Sequence, residues 1–190
     1  DAIFLFAALG LFCVLVIYVF LISASTWTTW PTITAYYDQL ATSFSRGKLS
    51  LELVPDPALL ALSNPYDPEQ RADVPFPRDI SLYKGKFYPY FGPVPALVLL
   101  LVKIFISGTI GDQYLVFAFA VGILLIETLL LIRVWKGVFS DIPAWLILPC
   151  ILVVGLVSPF GWLLSLSSIP HASILGGQFF FLTGLYSIYP

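Results

Sequence analysis

The sequence predicts an all-α polytopic membrane protein, with about five transmembrane helices and a long ordered loop between the first and second. Three observations carry that prediction. Of the 190 residues, 59% are hydrophobic and 11% charged, whereas soluble domains carry about a quarter charged residues. The mean hydropathy is +0.94. Several apolar runs approach the roughly 20 residues that cross a hydrocarbon core of about 30 Å as a helix. The same arithmetic excludes a soluble enzyme, a disordered tail and a disulfide-stapled secreted domain. It also argues against nucleic acid as a partner, because nine Lys+Arg against eleven Asp+Glu leave a net charge of −2 and no basic face for phosphates.

The first apolar run occupies residues 2–24 (AIFLFAALGLFCVLVIYVFLISA) and is too long for a signal-peptide core. The second lies at about 93–111 and contains Lys103. The third, at about 113–135, contains Glu127 and ends in Arg133, Trp135 and Lys136. The fourth, at about 142–166, carries Pro143, Pro149 and Pro159. The fifth begins near Ser173 and is cut at Pro190. The domains read accordingly as 1–24, 25–92 and 93–190. With no methionine, a start at Asp1 and an unfinished final run, the chain reads as the N-terminal portion of a longer protein.

Residues 25–92 differ in kind, holding thirteen of the twenty charges and eight of the fifteen prolines. Between Thr32 and Arg46, Ile33, Tyr36, Tyr37, Leu40 and Phe44 recur at helical spacing, and Gly47 offers a stop. This predicts a short amphipathic helix on the membrane surface, beside an aromatic belt of Trp27, Trp30, Tyr36 and Tyr37. Asp56-Pro57 reads as an N-cap followed by proline at the first helical position, and Asp67-Pro68-Glu69 as a weaker copy. Lys84-Gly85 between two aromatic-rich runs predicts a hairpin. Arg133 and Lys136 form the only basic short loop. With five spans, the positive-inside rule alone puts that loop, and therefore 25–92, in the cytoplasm.

Few side chains can carry chemistry. Asp38 sits one short helix beyond a membrane exit, where a carboxylate can act as a general base on an acceptor hydroxyl or help to hold a divalent cation. Its simpler reading is a solvated charge on the polar side of a surface helix. Arg71, Arg78, Lys84 and Lys86 can bind an anionic headgroup, with Tyr83, Tyr88 and Tyr90 stacking on a sugar, or can form an incidental charged hairpin tip. Lys103 and Glu127 read as intramembrane charges that snorkel or pack rather than pair. His171, the only histidine, can ligate a pigment or bind phosphate, but reads more simply as a connecting-loop residue. Asp112 and Asp141 stand where they can cap helices. Gly176-Gly177 marks close helix packing. Cys13 and Cys150 lie in apolar runs, and no Cys/His cluster supplies the roughly four ligands of a structural zinc site.

The segments YYDQLATSFSRGKLSLEL (36–53), LSNPYDPEQR (62–71), DISLYKGKFYPYFGPVPALVLL (79–100) and GGQFFFLTGLY (176–186) resemble the first-loop and early-span segments of bacterial C-type polytopic glycosyltransferases. That group includes the protein-mannosyltransferase-like enzymes. The resemblance implies a multi-pass protein of the cytoplasmic (inner) membrane. Such a protein moves a sugar from a polyprenyl-phosphate donor to an acceptor hydroxyl, with the first loop outside the cytoplasm. Asp38 matches the family's catalytic acid, and Lys84, Lys86, Arg78, Tyr88 and Tyr90 would bind substrate, with His171 and Glu127 as possible additions. Asp38-Gln39 stands where the family often shows paired acids, which implies a metal-independent base and no cofactor. The partners implied are the lipid-linked sugar donor and membrane lipid. A competing reading is a non-catalytic subunit of a larger respiratory or photosynthetic membrane complex, packed against other membrane subunits. A transporter would be expected to show an internal repeat, and the sequence shows none.

Overall fold

The computed structural model describes residues 2–71, 73–157 and 159–188, so the chain ends Asp1 and Pro190 lie outside it. It is mostly helical and divides into two compact units, residues 1–34 with 112–190 and residues 35–111.

The first unit is built on α1 (Ala2–Ile22) and α5 (Asp112–Val138), among the described residues the two helices long and apolar enough to cross a membrane. At 1.5 Å per residue they extend about 31 and 40 Å. Along α1 the residues Ile3, Ala7, Gly10, Val14, Tyr18 and Ile22 are buried, three or four apart, while Leu5, Leu9, Phe12, Val16 and Phe20 stay exposed on the other side. A helix apolar on both faces, with one face unpacked, suits lipid better than water. The predicted fourth run is broken. A short 3-10 turn (Ala144–Leu146) leads into α6 (Ile147–Val157), and α7 (Phe160–Ser165) follows, opened by Pro159. Pro149 falls in the first turn of α6, where a missing N–H is tolerated. The helix α8 (Ile169–Ile188) opens four residues before the predicted start of the fifth run.

These helices pack α1 on α6 and α5 on α8, at glycines. A Cβ on Gly122 would meet the Phe179 ring at 2.6 Å, and one on Gly155 would meet Val14 at 2.8 Å. Gly177, predicted to mark close packing, faces open space. The Tyr18 hydroxyl donates to the Gly155 carbonyl at 2.9 Å. The ends of the helices are paired as well. At one end the Lys136 ammonium lies 4.4 Å from the Phe4 ring centroid, and the Arg133 guanidinium 4.8 Å from that of Tyr186. At the other, the backbone N–H of Ile169 donates to the Thr34 hydroxyl at 2.9 Å, and that of Asp112 to the Thr34 carbonyl at 2.9 Å. Thus α1 and α6 run one way, and α5 and α8 the other.

The second unit contains α2 (Tyr36–Ser45), α3 (Pro57–Ala61), the strands β1 (Ile80–Tyr83) and β2 (Lys86–Pro89), and α4 (Val94–Val102). The predicted second span therefore yields a helix of nine residues, about 13 Å long, well short of a core of about 30 Å. The Asp56 carboxylate accepts from the Ala58 N–H at 2.8 Å and caps α3, with Pro57 at its first position. Asp67 accepts from the Glu69 N–H at 3.0 Å, but only a turn follows. The strands pair antiparallel, Ile80 opposite Pro89 and Tyr83 opposite Lys86. Lys84 and Gly85 have φ of 49° and 71°, the two left-handed residues of a type I′ turn.

Candidate functional site

The α2 helix presents Tyr37, Leu40 and Ala41 to the interior of the second unit, where Pro95, Ala96 and Leu99 of α4 are buried in turn. Tyr37 is completely buried and its hydroxyl donates to the Gly92 carbonyl at 3.2 Å, fixing α2 against the approach to α4. Asp38, in the first turn beside Tyr37, is consequently drawn inward and only 5% exposed. The simpler expectation for it, a solvated charge on a polar face, is overturned. Lys103 caps the C-terminal end of α4 and its ammonium donates to Asp38 Oδ1 at 2.6 Å and to the Gly108 carbonyl at 3.1 Å. Lys103 is thus the partner of Asp38, where the sequence suggested a snorkelling intramembrane charge. Each charge also sits at the helix end that favours it, an anion in the first turn of α2 and a cation at the end of α4.

The two oxygens of Asp38 differ. Oδ1 is held by Lys103, while among the described residues Oδ2 accepts no hydrogen bond. Beyond it on α2, the Gln39 Oε1 and Ser43 Oγ are buried without a partner. Asp38 therefore combines a fixed orientation, a neighbouring positive charge and one free acceptor atom.

The remaining predicted site residues are distributed over other places. Lys84 forms the hairpin turn, its ammonium 5.3 Å from the Tyr83 ring centroid, and the Tyr83 and Tyr88 rings meet edge-on at 6.4 Å. Lys86 lines an open cleft of about 480 Å³ with Lys48, Glu52 and Val54. Glu52 forms an ion pair with Arg46. Arg78 and Tyr90 line another cleft with Asp79. In the first unit, His171 is buried in the first turn of α8 and not in a connecting loop. Its Nδ1 lies 2.8 Å from the Ser168 Oγ, and its ring meets Trp162 edge-on at 4.7 Å. Glu127 is half-buried within α5, and among the described residues its Oε2 has no hydrogen-bond partner. Asp112 lies inside the first turn of α5 rather than at its cap, and Asp141 is exposed in a turn. The expected aromatic belt divides. Trp30 stacks on Tyr114 at 5.3 Å in the first unit, while Tyr37 is in the core of the second. Among the described residues no three His, Cys, Asp or Glu side chains gather as metal ligands.

Sequence reasoning placed Asp38 but missed Lys103 as its partner. The available signal was the length of the second run, too interrupted by Lys103, Ser107 and Gly108 to form a complete span. No protein-family model matches the chain, and comparisons with curated proteins and with solved structures gave no match.

Proposed function

We propose that this chain is a multi-pass protein of the bacterial inner membrane and acts as a glycosyltransferase. On this reading it moves a sugar from a polyprenyl-phosphate donor to an acceptor hydroxyl outside the cytoplasm. The single observation that carries the reading is the buried Asp38 carboxylate, with one oxygen on the Lys103 ammonium and the other free.

In the transfer, the acceptor oxygen bonds to the anomeric carbon as the bond from that carbon to the phosphate oxygen breaks, inverting the centre. The hydroxyl proton passes to Asp38 Oδ2. Negative charge then leaves Asp38 and appears on the departing polyprenyl phosphate, and the Lys103 ammonium, released from a neutral carboxyl, turns to it. This ammonium supplies the positive charge that a divalent ion would otherwise bring. Lys103 replaces Lys86, Arg78 and Lys84 as the cation nearest the base.

The packing of the first unit supports the orientation. With α4 too short to cross, α1 leaves the cytoplasm, α5 returns, α6 with its flanking turns leaves again and α8 returns. The parallel pairs α1/α6 and α5/α8 fit those directions. Four crossings put the Arg133–Lys136 end in the cytoplasm and residues 35–111 outside it. The charge rule and the family topology, opposed under five spans, then agree.

The test is transfer by the full protein from a polyprenyl-phosphate sugar. Asp38→Asn is expected to lower turnover by about 10²-fold or more, and Lys103→Met to lower it with less effect on KM. Full activity in Asp38→Asn would overturn the assignment.

A further inference from the structure

A cleft of about 450 Å³ opens in the second unit between Tyr66, Arg71, residues 76–81 and Tyr90, within the range of small-molecule sites. Its walls are unusual for a surface depression because most are held in place. The Tyr66 hydroxyl donates to the Leu82 carbonyl at 2.9 Å and accepts from the Leu82 N–H at 2.6 Å, so its half-exposed ring is anchored to β1. Phe76 lies 5.5 Å from that ring and carries the Arg71 guanidinium at 4.7 Å over its own face. Tyr90 lies within electrostatic reach of the Asp79 carboxylate, and the Asp79 backbone is in the left-handed region at φ 61°. Against these fixed groups stands Arg78, exposed and, among the described residues, without a hydrogen bond, ion pair or ring contact.

We propose that this cleft binds an acidic saccharide, a hydroxylated ring bearing a phosphate or carboxylate. The Arg78 guanidinium is free to take an oxyanion through two parallel N–H bonds, the geometry for which arginine is best suited. Asp79 accepts hydrogens from ring hydroxyls. The anchored Tyr66 ring, and the Tyr90 ring packed beside Phe91, offer flat apolar faces to the C–H face of a sugar, at little cost in lost rotamer freedom. The site involves neither Asp38 nor Lys103, and its occupancy does not depend on a transfer reaction.

The test is a titration of the full chain in detergent micelles, followed by ligand-observed magnetisation transfer, with glucose 1-phosphate, glucuronate, glucose and inorganic phosphate. Glucose 1-phosphate and glucuronate are expected to saturate one site and displace each other, with glucose and phosphate each at least tenfold weaker. Arg78→Gln is expected to weaken both acidic sugars tenfold or more. Because Arg78 makes no hydrogen bond, ion pair or ring contact among the described residues, this variant is expected to keep its structure. Tyr90→Ala should weaken them as well, while Asp38→Asn should leave them unchanged. Equal binding of glucose, equal binding of phosphate, no binding of either acidic sugar, or indifference to Arg78→Gln would each overturn the proposal. Loss of transfer in Asp38→Asn bears only on the transferase reading.

Discussion

Thr34 and Asp112 hold each other twice: the Thr34 hydroxyl donates to Asp112 Oδ2 at 2.6 Å, and the Asp112 N–H donates to the Thr34 carbonyl at 2.9 Å. The same hydroxyl oxygen accepts from Ile169, so one side chain joins the approach to α5 to the start of α8. Asp112 is completely buried. Thr34→Val keeps the shape and removes a donor and an acceptor at once. It is expected to destabilise the protein by about 2–3 kcal/mol, the scale for a hydrogen bond to a buried charged group. Denaturant unfolding in detergent would show this, and a loss under 0.5 kcal/mol, roughly the effect of an ordinary surface substitution, would show that the junction is not structural.

The Asp38–Lys103 pair is expected to couple strongly in a double-mutant cycle. Removing either partner alone leaves the other charge in a mostly buried place. A fully buried pair would lose about 3–5 kcal/mol. The Lys103 side chain is 21% exposed, and solvent at its ammonium brings the expected single-variant cost to about 1–3 kcal/mol. Asp38→Asn with Lys103→Met should cost less than the two single changes summed, as unfolding midpoints would reveal.

Glycines at the helix crossings predict a sharp contrast among alanine and valine substitutions. Gly155→Val drives a branched side chain into Val14, whose Cγ1 already lies 2.8 Å from an added Cβ. It should cost about 1–3 kcal/mol through overpacking. Gly177→Ala enters open space within α8 and should be neutral or stabilising by up to about 1 kcal/mol, the difference in helix propensity. Thermal unfolding of the two variants side by side separates them.

These contrasts mark what sequence patterning can reveal. The long apolar α1 and α5, the cap at Asp56 and the hairpin turn at Lys84-Gly85 were legible because each depends on a few neighbouring residues. Gly155 was not, because its role depends on Val14, far away in the chain. Hydropathy alone made 93–111 a span, since an apolar helix packed on α2 has the same composition as a membrane-crossing one. Periodicity placed Asp38 on a solvated face. Its burial follows from the packing of α2 on α4, and its partner Lys103 stands 65 positions along, neither of which a local pattern contains.

Tyr90 supplies a prediction in pH. Burial first, and then the charge of the nearby Asp79 carboxylate, push its phenol above the ordinary value of about 10. A raised folded-state value means that its contribution to stability is fully present below about pH 10 and is lost as pH rises through the folded value. The contribution is small because the ring is largely exposed. Ultraviolet difference titration should show a late-ionising phenol in the native protein that is absent in Tyr90→Phe and shifted down in Asp79→Asn. An unshifted titration in Asp79→Asn would remove Asp79 as a cause.

The four-crossing arrangement we propose predicts which loops meet the same compartment. If α4 crossed, Ser63 and Ser140 would lie on one side, separated by two passages through α4 and α5. With α4 confined to the second unit, only α5 lies between them, and the two serines face opposite sides. Cysteines placed at Ser63 and Ser140, one at a time, can be labelled with a membrane-impermeant maleimide in cells with a permeabilised outer membrane. Cys13 and Cys150 lie in the apolar helices α1 and α6 and can be changed to alanine beforehand. Labelling of the residue at 63 before lysis, and of the residue at 140 only after it, is the expected result. Labelling of both before lysis, or of neither, would restore α4 as a crossing, and labelling of neither would also put Asp38 on the cytoplasmic side, against its role in transfer.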